Sequence, residues 1–438
     1  MTRTGPPPSG KHGPEGMPIK TIGNMDFAGQ PAYGRDVTDT PPLHLAVALD
    51  GAGWHPAAWR EPDASPDKLF TAAYWASLAA EAERGQLDFI TIEDSLGQQS
   101  ARYDGPDPRT DQVRGRLDAV LIASWIAPLT SHIGLVPTAT VSHTEPFHVS
   151  KAIATLDYVS LGRAGWRAQV SRPWENSLFG RREVTAFRLE DFGTPEAQRQ
   201  VAERFDEAAD FAEVVRKLWD SWEDNAEIRD AATGRFIDRD KLHNIDFHGR
   251  WFSVRGPSIT PRPPQGQPLV TVLAHATLAY RFAARAADVV YVTPRGAGHA
   301  RAIVSEVRAE QEAAGRGDQT QHIFGDLVVF LGETAQEARA RKARLDDTAG
   351  AEYTSDAHVF AGTPAQLAEL LLDWQGAGLS GFRLRPGAIP GDLRHIAGEL
   401  VPQLRRHGSF RTSYAETTLR ERLGLPRPAS RYATATSH

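Results

Sequence analysis

The chain has 438 residues, 41% hydrophobic and 24% charged, with a formal net charge of -6 and no cysteine. That balance belongs to a folded globular protein; it argues against nucleic acid as a partner and excludes disulfides, thiolate nucleophiles and cysteine-based zinc sites, so any redox chemistry must come from a cofactor. No run of about eighteen apolar residues marks a membrane span. Residues 1–42 are rich in Gly and Pro and lack the apolar core of a secretory signal, which predicts a flexible N-terminal segment and a cytoplasmic protein.

From Leu43 onward, short apolar runs alternate with stretches of helical periodicity, as in repeated βα units. Leu45–Leu49 reads as the first strand, and Pro66–Arg84 as the first helix, with Ser65 as its N-cap and Gly85 closing it. Leu87–Ile92 is the second strand, Asp118–Leu129 a helix, Ile133–Val136 the third strand, Pro146–Leu161 a helix and Ala164–Val170 the fourth strand. A helix over Gln198–Trp222 follows, then strands at Leu269–Leu273, Asp288–Val292, Gly325–Leu331 and Gly381–Leu384. Helices fall at about His299–Ala314, Thr334–Arg344 and Pro364–Trp374, the last capped by Thr363. Eight strands predict one (β/α)8 TIM barrel over residues 43–425 and a tail over 426–438. Residues 225–267, rich in Gly, Pro, His and aromatics, read as an insertion covering the barrel mouth. The other architecture built from βα units, a doubly wound sheet, requires a dinucleotide fingerprint; Gly51-Ala52-Gly53 and Gly296-Ala297-Gly298 both lack its third glycine.

The stretch Ile133-Gly134-Leu135, Thr138-Ala139-Thr140, Glu145-Pro146-Phe147-His148, Thr155-Leu156-Asp157, Ser160, Gly162-Arg163 and Gly165-Trp166 resembles the luciferase-like flavin-dependent monooxygenases, within them the nitrilotriacetate and dibenzothiophene-sulfone monooxygenase group. His55 to Arg60, Leu218 to Trp222, Arg255-Gly256-Pro257 and Thr418 to Leu425 are similar to that group as well. The resemblance implies a luciferase-like barrel whose strand ends hold FMN, reduced by a separate flavin reductase, and an enzyme that uses dioxygen to oxygenate a small organic substrate. It further implies a homodimer.

Residues at C-terminal strand ends face the mouth where barrel chemistry occurs. For the cofactor these are Asp94, Thr138, Thr140, Ser171 and Arg172, with Tyr158 at a position where related sequences carry His or Tyr. Arg167 stands where the family pattern has Asn: pointing inward it offers a fork to phosphate or an acidic substrate, pointing outward it pairs with a neighbouring carboxylate. The loop Leu273-Ala274-His275-Ala276-Thr277 lacks the glycine and serine usual around the flavin phosphate, leaving Thr277, with Arg167, to compensate. That departure keeps two alternatives open: a deazaflavin coenzyme serving hydride transfer on the same barrel, and a flavin-free binding or regulatory barrel. Of fifteen His residues, His55, His143 and His275 lie at strand ends and are the acid/base candidates. Trp54, Trp59 and Phe179 are candidates for an apolar substrate wall. The three His share no metal-type spacing, so no metal site is expected.

Overall fold

The computed structural model describes residues 41–433 except 101, 103, 180–189 and 191–192; residues 1–40 of the expected N-terminal segment and 434–438 of the tail lie outside the described residues. Eight parallel strands close into a barrel: β1 (His44–Leu49), β2 (Phe89–Ile92), β3 (Gly134–Thr140), β4 (Gly165–Gln169), β5 (Leu269–Leu273), β6 (Val289–Val292), β7 (His322–Leu331) and β8 (Gly381–Pro386). Pairing runs from β1 through to β7, and β8 joins β7 back to β1, for instance Leu327 to Leu384 and Val47 to Leu384. The helices are α1 (Ala72–Arg84), α2 (Ala119–Ile126), α3 (Pro146–Val159), α4 (Pro195–Asp220), α5 (Thr277–Ala286), α6 (Ala297–Ala313), α7 (Ala335–Ala349) and α8 (Pro364–Gln375).

Because side chains alternate along a strand, each barrel strand feeds two separate cores. Leu45, Val47, Ile90, Leu135, Val270 and Val290 face outward into the layer between strands and helices. Ala46, Phe89, Val136, Leu269, Val289 and Phe324 face inward at the N-terminal end, where Leu419, Leu423 and Leu425 plug the barrel from below. Gly134 is required there, since a Cβ at this position would run into Leu419. Each buried Val, Leu, Ile or Phe among them contributes about 1.5–3 kcal/mol relative to exposure.

Three sequence expectations are corrected. Helix α1 starts at Ala72 with Thr71 as its cap, accepting from Tyr74 N at 3.4 Å, while Ser65 caps nothing and only precedes a short 3-10 turn. The insertion 225–267 does not cover the mouth. It connects a helix to the next strand, and such connections return at the N-terminal face: Gln265 bonds Asp157 (3.0 Å) and Ala164 O (2.8 Å), and Arg262 bonds Asp220 (3.1 Å), with the small hairpin of Phe247 and Val254 packed against α3 and α4. The helix expected at Thr334–Arg344 runs on to Ala349 as α7. It is bonded to the loops that follow β1, β2 and β8, through His55–Asp346 (3.0 Å), Arg109 to Ala349 O (2.7 Å) and Arg341–Asp392, so it lies on the C-terminal rim. A rim strand, His358–Gly362, follows it and pairs with the upper half of β7. The mouth is therefore bordered by the segment 332–362 and the long β2–α2 connection.

Candidate active site

Above the apolar plug the barrel interior turns polar. Arg167 on β4, Arg383 and Arg385 on β8, Asp326 on β7 and Glu93 just after β2 all point inward, and each side chain is at most 8% exposed. Glu93 bridges Arg167 (3.0 Å) and Arg383 (3.2 Å); Asp326 bridges Arg383 (2.6 Å) and Arg385 (3.0 Å from Nε). Burial pushes both carboxyls up, but the neighbouring guanidinium groups outweigh it and hold Glu93 and Asp326 below the usual carboxylate range. At the rim Arg385 donates to Asp356 (2.7 Å), whose other oxygen lies 3.3 Å from His275 Nε2, while His275 Nδ1 lies 3.1 Å from the Thr293 hydroxyl. A line of charge thus runs from the barrel centre to the mouth. Sequence reasoning passed over Glu93, Asp326, Asp356, Arg383 and Arg385; the available signal was the alternation Phe382-Arg383-Leu384-Arg385, which in a barrel strand puts two charges inside.

Of the expected residues, Ser171 and Trp54 stand at the mouth with buried side-chain donors that find no partner, as do the Arg167 Nε and Trp174 Nε1 atoms. Trp54 lies 4.5 Å above Arg385, and the Trp174 ring fills the place of a Cβ at Gly97, joining the loops after β4 and β2. Phe179 stacks on His143 at 5.2 Å. His275 is half-exposed; burial lowers its imidazole from the ordinary value against the pull of Asp356, which favours the neutral form near pH 7. Thr277 opens α5, a helix whose first amides carry no side-chain cap, and its hydroxyl donates to Glu306 at 2.6 Å. Arg172 is exposed, and its backbone N donates to Glu175. Thr138 sits deeper, accepting from Arg167 at 2.9 Å, and the Thr140 hydroxyl donates to Ser142 O at 3.3 Å.

Other placements overturn expectations. His55 is buried, with Nδ1 accepting from Ala57 N (3.1 Å) in its own loop and Nε2 against Asp346 of α7 (3.0 Å), so neither ring nitrogen is free to move a proton to a ligand. Tyr158 ends α3 at the opposite, N-terminal face, where its hydroxyl donates to Arg262 O at 2.8 Å; a helix preceding β4 ends below the barrel, and no cofactor at the mouth can reach it. Asp94 uses its two oxygens for the amides of Ser95 (2.7 Å) and Ala119 (3.0 Å), fastening α2 in place. Trp59 ties its indole N–H to Asp111 O at 3.0 Å. Arg167 points inward yet pairs with Glu93, so its charge is not available to a phosphate at α5; the two alternatives weighed for it coincide.

Four unpartnered buried donors around one opening suit a ligand edge made of acceptors. The pyrimidine edge of a flavin presents two carbonyl oxygens as acceptors on either side of one N–H, so the residues present fit the group. Among the described residues no set of three His, Asp or Glu could hold a metal ion, and no helix is long and apolar enough to cross a membrane.

The model of the luciferase-like monooxygenase family matches residues 52–353. The chain is 29% identical to N-acetyl-S-(2-succino)cysteine monooxygenase of Bacillus subtilis (strain 168) and 28% identical to nitrilotriacetate monooxygenase component A of Aminobacter aminovorans, in each case over 89% of this chain and 98% of the relative. Among solved structures, a riboflavin lyase holding a modified FMN and riboflavin superposes with a TM-score of 0.75 at 25% identity, covering 87% of this chain and 95% of the other.

Proposed function

Because the chain belongs to the luciferase-like monooxygenase family and is a flavin-dependent monooxygenase of it, we propose that its flavin is FMN, delivered reduced by a separate flavin reductase, and that its substrate is a small organic molecule. The observation that carries this reading is the group of unpartnered donors at the mouth, Trp54 Nε1, Arg167 Nε, Ser171 Oγ and Trp174 Nε1, which an acceptor-rich ring would satisfy. They also weigh against a barrel that binds no flavin, because buried donors without partners destabilise the empty protein. When bound, the reduced flavin supplies the electrons that activate dioxygen for transfer of one oxygen atom to the substrate.

The chain's own residues do the rest. Arg167, fixed by Glu93, Thr138 and Gln169, would hold and orient the ring. The uncapped amides of α5 would receive the phosphate, joined by the Thr277 hydroxyl once it turns from Glu306. His275, held between Thr293 and Asp356, exchanges a proton with the substrate through a neutral imidazole. Trp54, with Phe179 stacked on His143, lines the substrate side and keeps water out. A homodimer is supported by the apolar stripe Leu121, Trp125 and Leu129 on and after α2, each more than half exposed. Dependence on a reductase fed by nicotinamide argues for the cytoplasm.

The test is anaerobic titration of the intrinsic tryptophan fluorescence with reduced FMN and with reduced deazaflavin. Saturable quenching by reduced FMN with none by deazaflavin is expected; the reverse preference would replace monooxygenation by hydride transfer, and no quenching by either would sink the flavin site.

A further inference from the structure

The charges inside the barrel do not balance by themselves. Arg167, Arg383 and Arg385 contribute three positive charges, and Glu93 and Asp326 two negative ones, all within side chains at most 8% exposed. An uncompensated charge in so buried a layer is unfavourable, and the third anion comes from the rim: Asp356, between α7 and the rim strand, takes Arg385 with both oxygens, at 2.7 and 3.2 Å. The two sides of this fork differ in mobility. Arg385 is 2% exposed and also held by Asp326, whereas Asp356 is 43% exposed and, among the described residues, is otherwise held by Ser355 (2.9 Å) and by His275 at 3.3 Å. Its exposure lets the Asp356 carboxylate turn into water, but the buried Arg385 fork that it leaves, shaped for a planar anion and facing the mouth, then needs another anion in its place.

We propose that Arg385 is the substrate-binding residue of this mouth, that the substrate is a small organic carboxylate, and that Asp356 occupies the carboxylate's place on Arg385 until substrate arrives. The proposal rests on the monooxygenase reading for the word substrate, but the anion site stands on charge and geometry. A carboxylate entering the mouth restores the third negative charge and releases the segment bearing Asp356; an uncharged molecule of the same shape does neither. The same replacement draws His275 away from Asp356 and toward the arriving group, which puts the imidazole beside the substrate.

The experiment is calorimetric titration of the full chain with succinate and with its uncharged counterpart succinamide, in low salt and without flavin or dioxygen, for wild type and Asp356→Asn. Succinate should bind wild type, succinamide should not, and the variant, freed of the competing charge, should bind succinate at least about tenfold more tightly. Should the variant fail to fold, the wild-type contrast still decides: equal binding of acid and amide, or no binding of succinate, overturns the proposal. Unchanged succinate affinity in a folded variant overturns the role of Asp356. A parallel titration with reduced FMN separates the sources of anion: tightening of FMN but not of succinate in Asp356→Asn would assign the fork to the flavin rather than to substrate. Failure of succinate to bind while reduced FMN still quenches would leave the oxygenase reading intact.

Discussion

The two ends of this barrel are built from similar residues to opposite purposes. At the closed end Asp88 and Asp288, each immediately before its strand, perform the same task half a barrel apart: Asp88 accepts Leu45 N at 2.7 Å, Asp288 accepts Val270 N at 2.8 Å, and each faces arginines, Arg411 for one and Arg216 with Arg420 for the other. Burial raises both carboxyls, but the arginines hold them well below the carboxylate range. Exceptions there are Arg422, with Nε and Nη2 unbonded but its guanidinium lying 4.4 Å over Tyr414, and the side-chain oxygen of Gln321. At the open end Trp54, Arg167, Ser171 and Trp174 keep buried donors unpaired. Polar groups that meet within the chain stabilise the fold; polar groups that stay unmet reserve a place for a ligand.

Substitutions at each end should therefore change different observables. The largest effect belongs to the closed end: Asp288→Asn leaves Arg216 and Arg420 against an uncharged partner and should lower unfolding stability by about 3–5 kcal/mol in urea, with affinity for reduced FMN unaltered in the fraction that folds. A parallel loss of FMN affinity would break the separation. Next is a pH effect at the same end. Asp157 is fully buried and accepts only from uncharged donors, Gln265 and Ala164, so burial raises its carboxyl from 3.8 to about 6. A raised folded value means the folded state prefers the protonated form; this contribution is full below about pH 4 and is lost as pH climbs through about 6. Stability relative to Asp157→Asn should fall by up to about 3 kcal/mol over that window, and a flat difference between the two proteins would refute the assignment.

Smaller effects sharpen the comparison from the mouth. Ser171→Ala removes a hydroxyl that has no partner, so stability should move by no more than about 0.5 kcal/mol while reduced FMN binds about 1 kcal/mol more weakly, roughly fivefold. A stability loss without a binding loss would place Ser171 with the closed-end residues. Thr277→Ala should weaken FMN by about 0.5 kcal/mol and leave riboflavin, which has no phosphate, unaffected; equal losses for both flavins would remove α5 from the phosphate site.

Strand order and the barrel itself were legible because apolar runs such as Leu269–Leu273 and Val289–Val292 have no other use in a soluble chain. The interior charges were not, because Arg383 and Arg385 interrupt the apolar run that marked β8, and an inward charge is stable only through partners on strands remote in sequence. Position along the chain also fails to give side-chain direction. His55 and His275 both follow a strand, yet one turns outward to Asp346 and the other lies beside Asp356 at the mouth. Composition misled over 225–267, where the rule that helix-to-strand connections return below the barrel outweighs aromatic content, and periodicity could not tell that α7 lies on the rim.

The rim segment that begins at Gly332 and ends at Gly362 returns to its own starting point: the Gly332 amide donates to Gly362 O at 3.3 Å. A stretch whose two ends already touch adds almost nothing to the closure constraint of the chain that carries it, whatever its length. It behaves as a cassette. An exchange for another of equal end spacing that keeps the pairing with β7 would replace one whole wall of the opening without lengthening the path of the barrel chain.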